Sequence, residues 1–171
     1  MKLRLVVIAV ASIGLLSRRA PAQDSMPGRA QLIGTWRFVS STQLLADGTS
    51  RPDPQTGANG AGYLMYTETG HMCAVIANAE RPVWRAPAAP SDSDMRQAFN
   101  GLVAYCGTYD VNQAEGSVTH HIELDREPGL TGTNRKRFFT RSGARLVLRA
   151  APPLPTGVRE WTIVWQRVAP D

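Results

Sequence analysis

The chain carries three histidines and four tyrosines, and most of them fall in short runs with strand spacing. In Ser117–Asp125 the two-residue period of a strand puts Val118, His120, Ile122 and Leu124 on one face and Thr119, His121, Glu123 and Asp125 on the other. The first set is apolar apart from His120, so that imidazole is expected to point into a core. There it reads in one of two ways. It is a core histidine bonded to a tyrosine, or it is a neutral donor, acceptor or base poised near physiological pH. His121, beside Glu123 on the other face, reads as a solvated surface residue. Tyr63, Tyr66, His71, Tyr105, Tyr109 and Arg137 come from four other strand-like segments and could converge with His120. Aromatic walls with a few polar groups describe an ordinary small-molecule pocket. Arg137 would select an acidic group there, because its planar fork matches a carboxylate through two hydrogen bonds. Its alternative is cross-strand pairing on the outer wall.

Other chemistries find little support. His71 and the pair His120-His121 do not make a zinc site, because successive strand residues point to opposite faces, and no metal or other cofactor is expected. There is no G-x-S-x-G elbow and no phosphate-binding glycine loop in a strand–helix context.

The elements that must position these residues are mostly strands. A lead-in with Pro27 and Gly28 precedes a short helical turn over 30–33. From Thr35 the period becomes two, with Trp36, Phe38 and Ser40 alternating with Arg37, Val39 and Ser41 until the turn residues Asp47-Gly48. The interval 49–60 holds two prolines and two glycines and reads as a long loop able to lie over a barrel mouth. Two strand-like runs, 62–67 and 71–76, flank Glu68-Thr69-Gly70, a tight hairpin with glycine at the left-handed position. One short helix is expected within 91–102, where capping residues precede Met95, Phe99 and Leu102 at helical spacing. Strand-like runs then recur at 103–111, 117–125, 133–141, 145–150 and 158–168, separated by turn chemistry. Eight strands joined by hairpin-length turns predict an all-β, antiparallel up-and-down barrel, whose closure removes exposed sheet edges. A barrel of that size is either filled by side chains or holds one small ligand.

The N-terminus bears on compartment. Basic Met1-Lys2-Leu3-Arg4 is followed by an apolar run, 5–17, shorter than the roughly 20 residues a spanning helix needs. Arg18-Arg19-Ala20-Pro21-Ala22 then offers a small-x-small exit. Residues 1–22 are therefore expected to be a signal peptide and 23–171 the barrel domain, periplasmic or secreted, with no cysteine near the cleavage site to carry a lipid anchor. Loss of Lys2, Arg4, Arg18 and Arg19 takes the formal charge from +5 to +1, so the basic composition gives no reason to expect nucleic-acid or anionic-membrane partners. Cys73 and Cys106 would sit in a compartment that permits a disulfide; the alternative is two small buried thiols on neighbouring strands.

Several of these segments resemble a known family. Gly34-Thr35-Trp36 resembles the G-x-W signature of lipocalins, and Trp165-Gln166-Arg167 resembles the arginine that packs over that tryptophan. More specifically, the chain is similar to a lipocalin-like domain family of bacteria and fungi. The similarity runs through Leu32–Trp36, Gly62–Thr67 with Gly70-His71-Met72, Tyr105–Tyr109, Val118–His121, Gly132-Thr133 with Arg137, and Trp165–Arg167. The resemblance implies a lipocalin-like barrel with a possible pocket, and it brings no catalytic residues. It also implies that Arg167 stacks on Trp36 where the first and last strands meet, a contact worth about 0.5 to 2 kcal/mol.

Three functions are compatible with the sequence. The first is an exported carrier that holds a small, largely apolar molecule, one that could bear an acidic group, in the barrel lumen by Tyr and Arg side chains. The second is an isomerase- or cyclase-type enzyme in which His120 moves a proton while a tyrosine or Arg137 stabilises an oxyanion. The third is an interaction module without a ligand.

Overall fold

A computed structural model describes residues 28–85 and 87–169. The expected signal peptide lies outside the described residues. Helix α1 (Gly28–Leu32) leads into β1 (Gly34–Leu45), then β2 (Ser50–Pro52), β3 (Ala61–Tyr66), β4 (His71–Ala77), α2 (Asp92–Asn100), β5 (Leu102–Asn112), β6 (Ser117–Asp125), a 3-10 turn at Pro128–Leu130, β7 (Asn134–Ser142), β8 (Arg145–Ala150) and β9 (Val158–Arg167). Each long strand pairs antiparallel with the next, and β1 also pairs with β9, which closes eight strands into a barrel. The ninth, β2, lies in the interval expected to be loop. It pairs with Thr42–Leu44 of β1, on the edge where β3 pairs only with Gly34–Arg37.

The closure is made by the pair expected from the sequence. Trp36 and Arg167 are register partners, and the guanidinium carbon of Arg167 sits 5.3 Å from the Trp36 ring centre. Arg167 also donates from Nη2 to the Ile33 carbonyl at 2.9 Å, while Trp36 Nε1 donates to the Leu32 carbonyl at 2.7 Å. These bonds tie α1 across the lower end of the barrel. Glycine at 34 follows from the same geometry. Its φ is +131°, and a Cβ there would lie 2.9 Å from Arg167 Nη2. Cys73 and Cys106 are register partners on β4 and β5, with Cα atoms 4.1 Å apart, and they form a disulfide. Helix α2 begins with a capping box in which Ser91 and Asp94 satisfy each other's backbone N–H groups.

Of the register shifts among the described strands, two decide which residues of β1 and β6 face the lumen. Between β1 and β9 the register steps from Phe38↔Trp165 to Ser40↔Val164, leaving Val39 as an extra residue. Before it Trp36 and Phe38 face inward; after it Ser41 and Gln43 do, so Ser41 joins the inner face and not the outer one expected for it. Between β5 and β6 the register steps from Cys106↔Leu124 to Gly107↔Ile122, with Glu123 as the extra residue. Beyond it the faces exchange. Leu124, expected inside, is 69 % exposed, and Asp125, expected outside, points inward. Gly107 permits this bulge, since a Cβ there would fall 1.8 Å from the His121 carbonyl oxygen.

Candidate functional site

The lower half of the lumen is filled. His120 is completely buried, and both its ring nitrogens are engaged: Tyr66 Oη lies 2.6 Å from Nε2 and Tyr105 Oη 3.1 Å from Nδ1. A neutral imidazole has one donor and one acceptor nitrogen, so one phenol donates to it and the other accepts. Burial, followed by the nearby charges of Arg137, Arg135 and His121, pushes the His120 pKa down to about 3. Burial likewise pushes the Tyr66 phenol well above its ordinary range. His120 thus stays neutral at physiological pH with no lone pair to offer a substrate. This is the core-histidine reading, with two tyrosines where one was expected, and it gives no support to a base poised near neutrality. Tyr109 packs edge-on against Tyr66 and donates to the Thr67 carbonyl at 2.9 Å, which makes it part of the lower plug.

The upper half is open. A cavity of about 40 Å³ is lined by Ser41, Asp53, Tyr105, Arg135, Arg137, Trp161 and Trp165, among others. On the measure of roughly 10 to 15 Å³ per water, it has room for about three waters. It opens into a groove of about 610 Å³ at the barrel mouth, bordered by Leu130, Ala150 to Pro155 and the rim of β7. Gln55, Arg135, Arg137 and Trp161 line both spaces. The segment after β2 does lie in the mouth. Asp53 is buried and accepts from Ser41 Oγ at 3.1 Å and from the Gln55 amide at 3.0 Å, which folds residues 53–57 across the opening. Ser41 in turn accepts from Trp161 Nε1 at 2.8 Å. Burial raises the Asp53 pKa, against the opposing effect of the Gln55 and Ser41 bonds and the charge of Arg51. The wall is not purely hydrocarbon, since Thr56 Oγ1 and Trp165 Nε1 are buried without a hydrogen-bond partner among the described residues.

The two inward arginines of β7 differ in one respect. Arg135 pairs with Asp125 at 2.9 Å and lies over the Tyr105 ring at 4.5 Å. Arg137 has no carboxylate partner among the described residues. It donates from Nη1 to the Lys136 carbonyl at 3.0 Å and flanks the Trp161 ring at 5.9 Å. Burial holds its pKa below the usual guanidinium range, though a guanidinium remains charged at neutral pH. Arg137 is thus a mostly buried cation on the wall of the cavity, with no counter-ion among the described residues.

A family model for the lipocalin-like domain matches residues 33–168. The chain belongs to the lipocalin-like domain family. Among solved structures, this lipocalin-like domain is similar to a lipocalin-like protein from Bacteroides uniformis (14 % identity, 81 % of this chain and 99 % of that one, TM-score 0.43). It is also similar to an uncharacterized protein from Bacteroides eggerthii (10 % identity, 80 % and 99 %, TM-score 0.40) and to a Schistosoma mansoni fatty acid binding protein in complex with arachidonic acid (11 % identity, 84 % and 100 %, TM-score 0.39). No protein with a curated description matches the chain.

Of the seven residues expected to converge on a ligand, the lipocalin-like domain brings Tyr105 and Arg137 to the cavity wall and holds Tyr66, Tyr109 and His120 in the plug beneath it. Two lie outside. Tyr63 is 47 % exposed on the outer face of β3, and His71 is exposed beside Thr69, whose hydroxyl is 3.2 Å from its Nδ1. Both follow from strand parity, since Tyr63 and Tyr66 are three apart and His71 is one before the buried Met72. Asp53, Gln55, Arg135, Trp161 and Trp165 were not foreseen. Arg135 had a signal, being two residues from Arg137 on one strand face. Asp53 and Gln55 had none, because a loop has no period. Among the described residues no cluster of three or more His, Cys, Asp or Glu could hold a metal ion, and no helix is long and apolar enough to cross a membrane.

Proposed function

We propose that this lipocalin-like domain is an exported carrier for a small molecule with an apolar body and an acidic group, and that Arg137 receives the acid. The observation that carries the reading is the contrast between two neighbouring arginines: Arg135 is neutralised by Asp125, while Arg137 is mostly buried and has no carboxylate partner among the described residues. Leaving a guanidinium buried without a counter-ion costs stability unless a ligand supplies the charge, and bidentate carboxylate pairing is the match its geometry favours. Export to the periplasm or medium is supported by the basic start, short apolar run and small-residue exit of residues 1–22, and the Cys73–Cys106 disulfide suits an oxidising compartment.

The test is native mass spectrometry of the protein purified from its own host, with extraction of whatever co-purifies. A retained molecule bearing one acidic group is expected. Retention of a neutral or cationic molecule would overturn the assignment of Arg137.

A further inference from the structure

Resting on the reading of Arg137 as the acid receptor, we infer that the ligand's body lies outside the lumen, in the groove across the barrel mouth, and that the ligand is a rigid aromatic monoacid.

Size makes the first argument. Pockets that enclose a drug-sized ligand run from about 300 to 1,000 Å³. The inner cavity, at about 40 Å³, is far below that range, and the mouth groove, at about 610 Å³, is within it. Below the inner cavity there is no way onward, because Tyr66, Tyr105 and His120 are locked to one another. The second argument is charge. Asp53 is a buried carboxylate on the wall of the inner cavity, and both its oxygens are already committed to Ser41 and Gln55. An acid pushed past Arg137 would approach it. The acid is therefore held at the shared wall, at Arg137, and the rest of the molecule extends outward. Of the other charges lining the groove, Arg135 is occupied by Asp125 and Lys136 by Glu115, and Glu127 is bound by Arg126.

The third argument is the surface that the body would meet. Trp161 lines both spaces with its indole fixed by the bond to Ser41, and beyond it the groove is edged by Ala150, Ala151, Pro152, Pro153, Leu154 and Pro155. These side chains lose little rotamer freedom on binding. A rigid ring laid on that wall likewise gives up less conformational freedom than a flexible chain in an open groove. Arg137 beside the Trp161 ring places its guanidinium fork next to that wall.

The experiment is isothermal titration with 1-naphthoate, 1-naphthylmethanol and decanoate, on the wild-type protein, Leu154→Asp and Ala74→Val. Of these two spaces, Leu154 lines the groove and not the inner cavity, and Ala74 the inner cavity and not the groove. Far-ultraviolet dichroism and thermal melts confirm that each variant is folded. The expected result is that 1-naphthoate binds at least tenfold tighter than decanoate, that Leu154→Asp weakens it at least tenfold, and that Ala74→Val changes it less than threefold. Loss of binding in Ala74→Val with Leu154→Asp unaffected would place the body in the lumen and overturn the inference. Decanoate binding as tightly as 1-naphthoate would overturn the ligand class. Equal affinity for the naphthyl acid and alcohol would instead remove Arg137 as receptor, while the Leu154 and Ala74 variants would still report where the ring lies.

Discussion

Replacing Arg137 by Met should make the ligand-free protein more stable and destroy its preference for acids. The guanidinium is mostly buried, and its compensation is slight: one neutral carbonyl acceptor and an indole ring at 5.9 Å, while a second guanidinium nearby repels it. A cation–π contact of that kind contributes about 0.5 to 2 kcal/mol and a hydrogen bond from a charged group about 1.5 to 3. The effective desolvation penalty of a buried ion is several kcal/mol, so the balance is near zero or unfavourable. Methionine matches the length of the stem and packs on Trp161 without that penalty. The expected gain is about 1 to 3 kcal/mol, which for a domain of this size raises Tm by roughly 3 to 10 °C. Urea unfolding monitored by tryptophan fluorescence measures the first effect, and titration with an aromatic acid and its alcohol measures the second. Arg137→Met that is less stable than wild type, yet still prefers acids, would show that the residue is a structural brace and would refute the electrostatic argument.

Other consequences follow from particular contacts. Gly107→Ala should cost about 3 kcal/mol or more in urea unfolding, because its Cβ would meet the backbone carbonyl of His121 at 1.8 Å and the bulge cannot yield cheaply. Reduction of Cys73–Cys106, which closes a 33-residue separation, should lower stability by about 3 to 4 kcal/mol in the chain-entropy model, seen as a lower urea midpoint with reductant. Asp53 has a raised folded-state pKa, so between its ordinary value and that raised value the native state holds a proton the unfolded chain has released. Its contribution to stability therefore grows as pH falls from neutral through that window, opposite in sign to a salt-bridged carboxylate and to buried neutral His120, and Asp53→Asn should remove this one contribution, so that the variant loses more stability than wild type between melts at pH 7 and pH 4.

Much of this protein could be read without coordinates because alternation and turn chemistry are local. Hydrophobic residues at every second position and glycine or proline at regular gaps specify strands and hairpins. The Trp36–Arg167 contact needed only the resemblance of its two ends to lipocalin signatures. His120 was legible as a core residue for the same reason. The tertiary structure alone decided which residues face the cavity. Alternation predicts a face only until an extra residue is inserted, and the bulges at Val39 and Glu123 each turn the rest of the strand over. Through them Ser41 enters the wall beside Trp161, and Asp125 turns inward to neutralise Arg135, so that of the two inward arginines of β7 it is Arg137 that has no carboxylate partner among the described residues. A bulge depends on how two strands settle against each other, at Gly107 on the passage of the His121 carbonyl, and that pairing joins residues too far apart in sequence for any local pattern to record it.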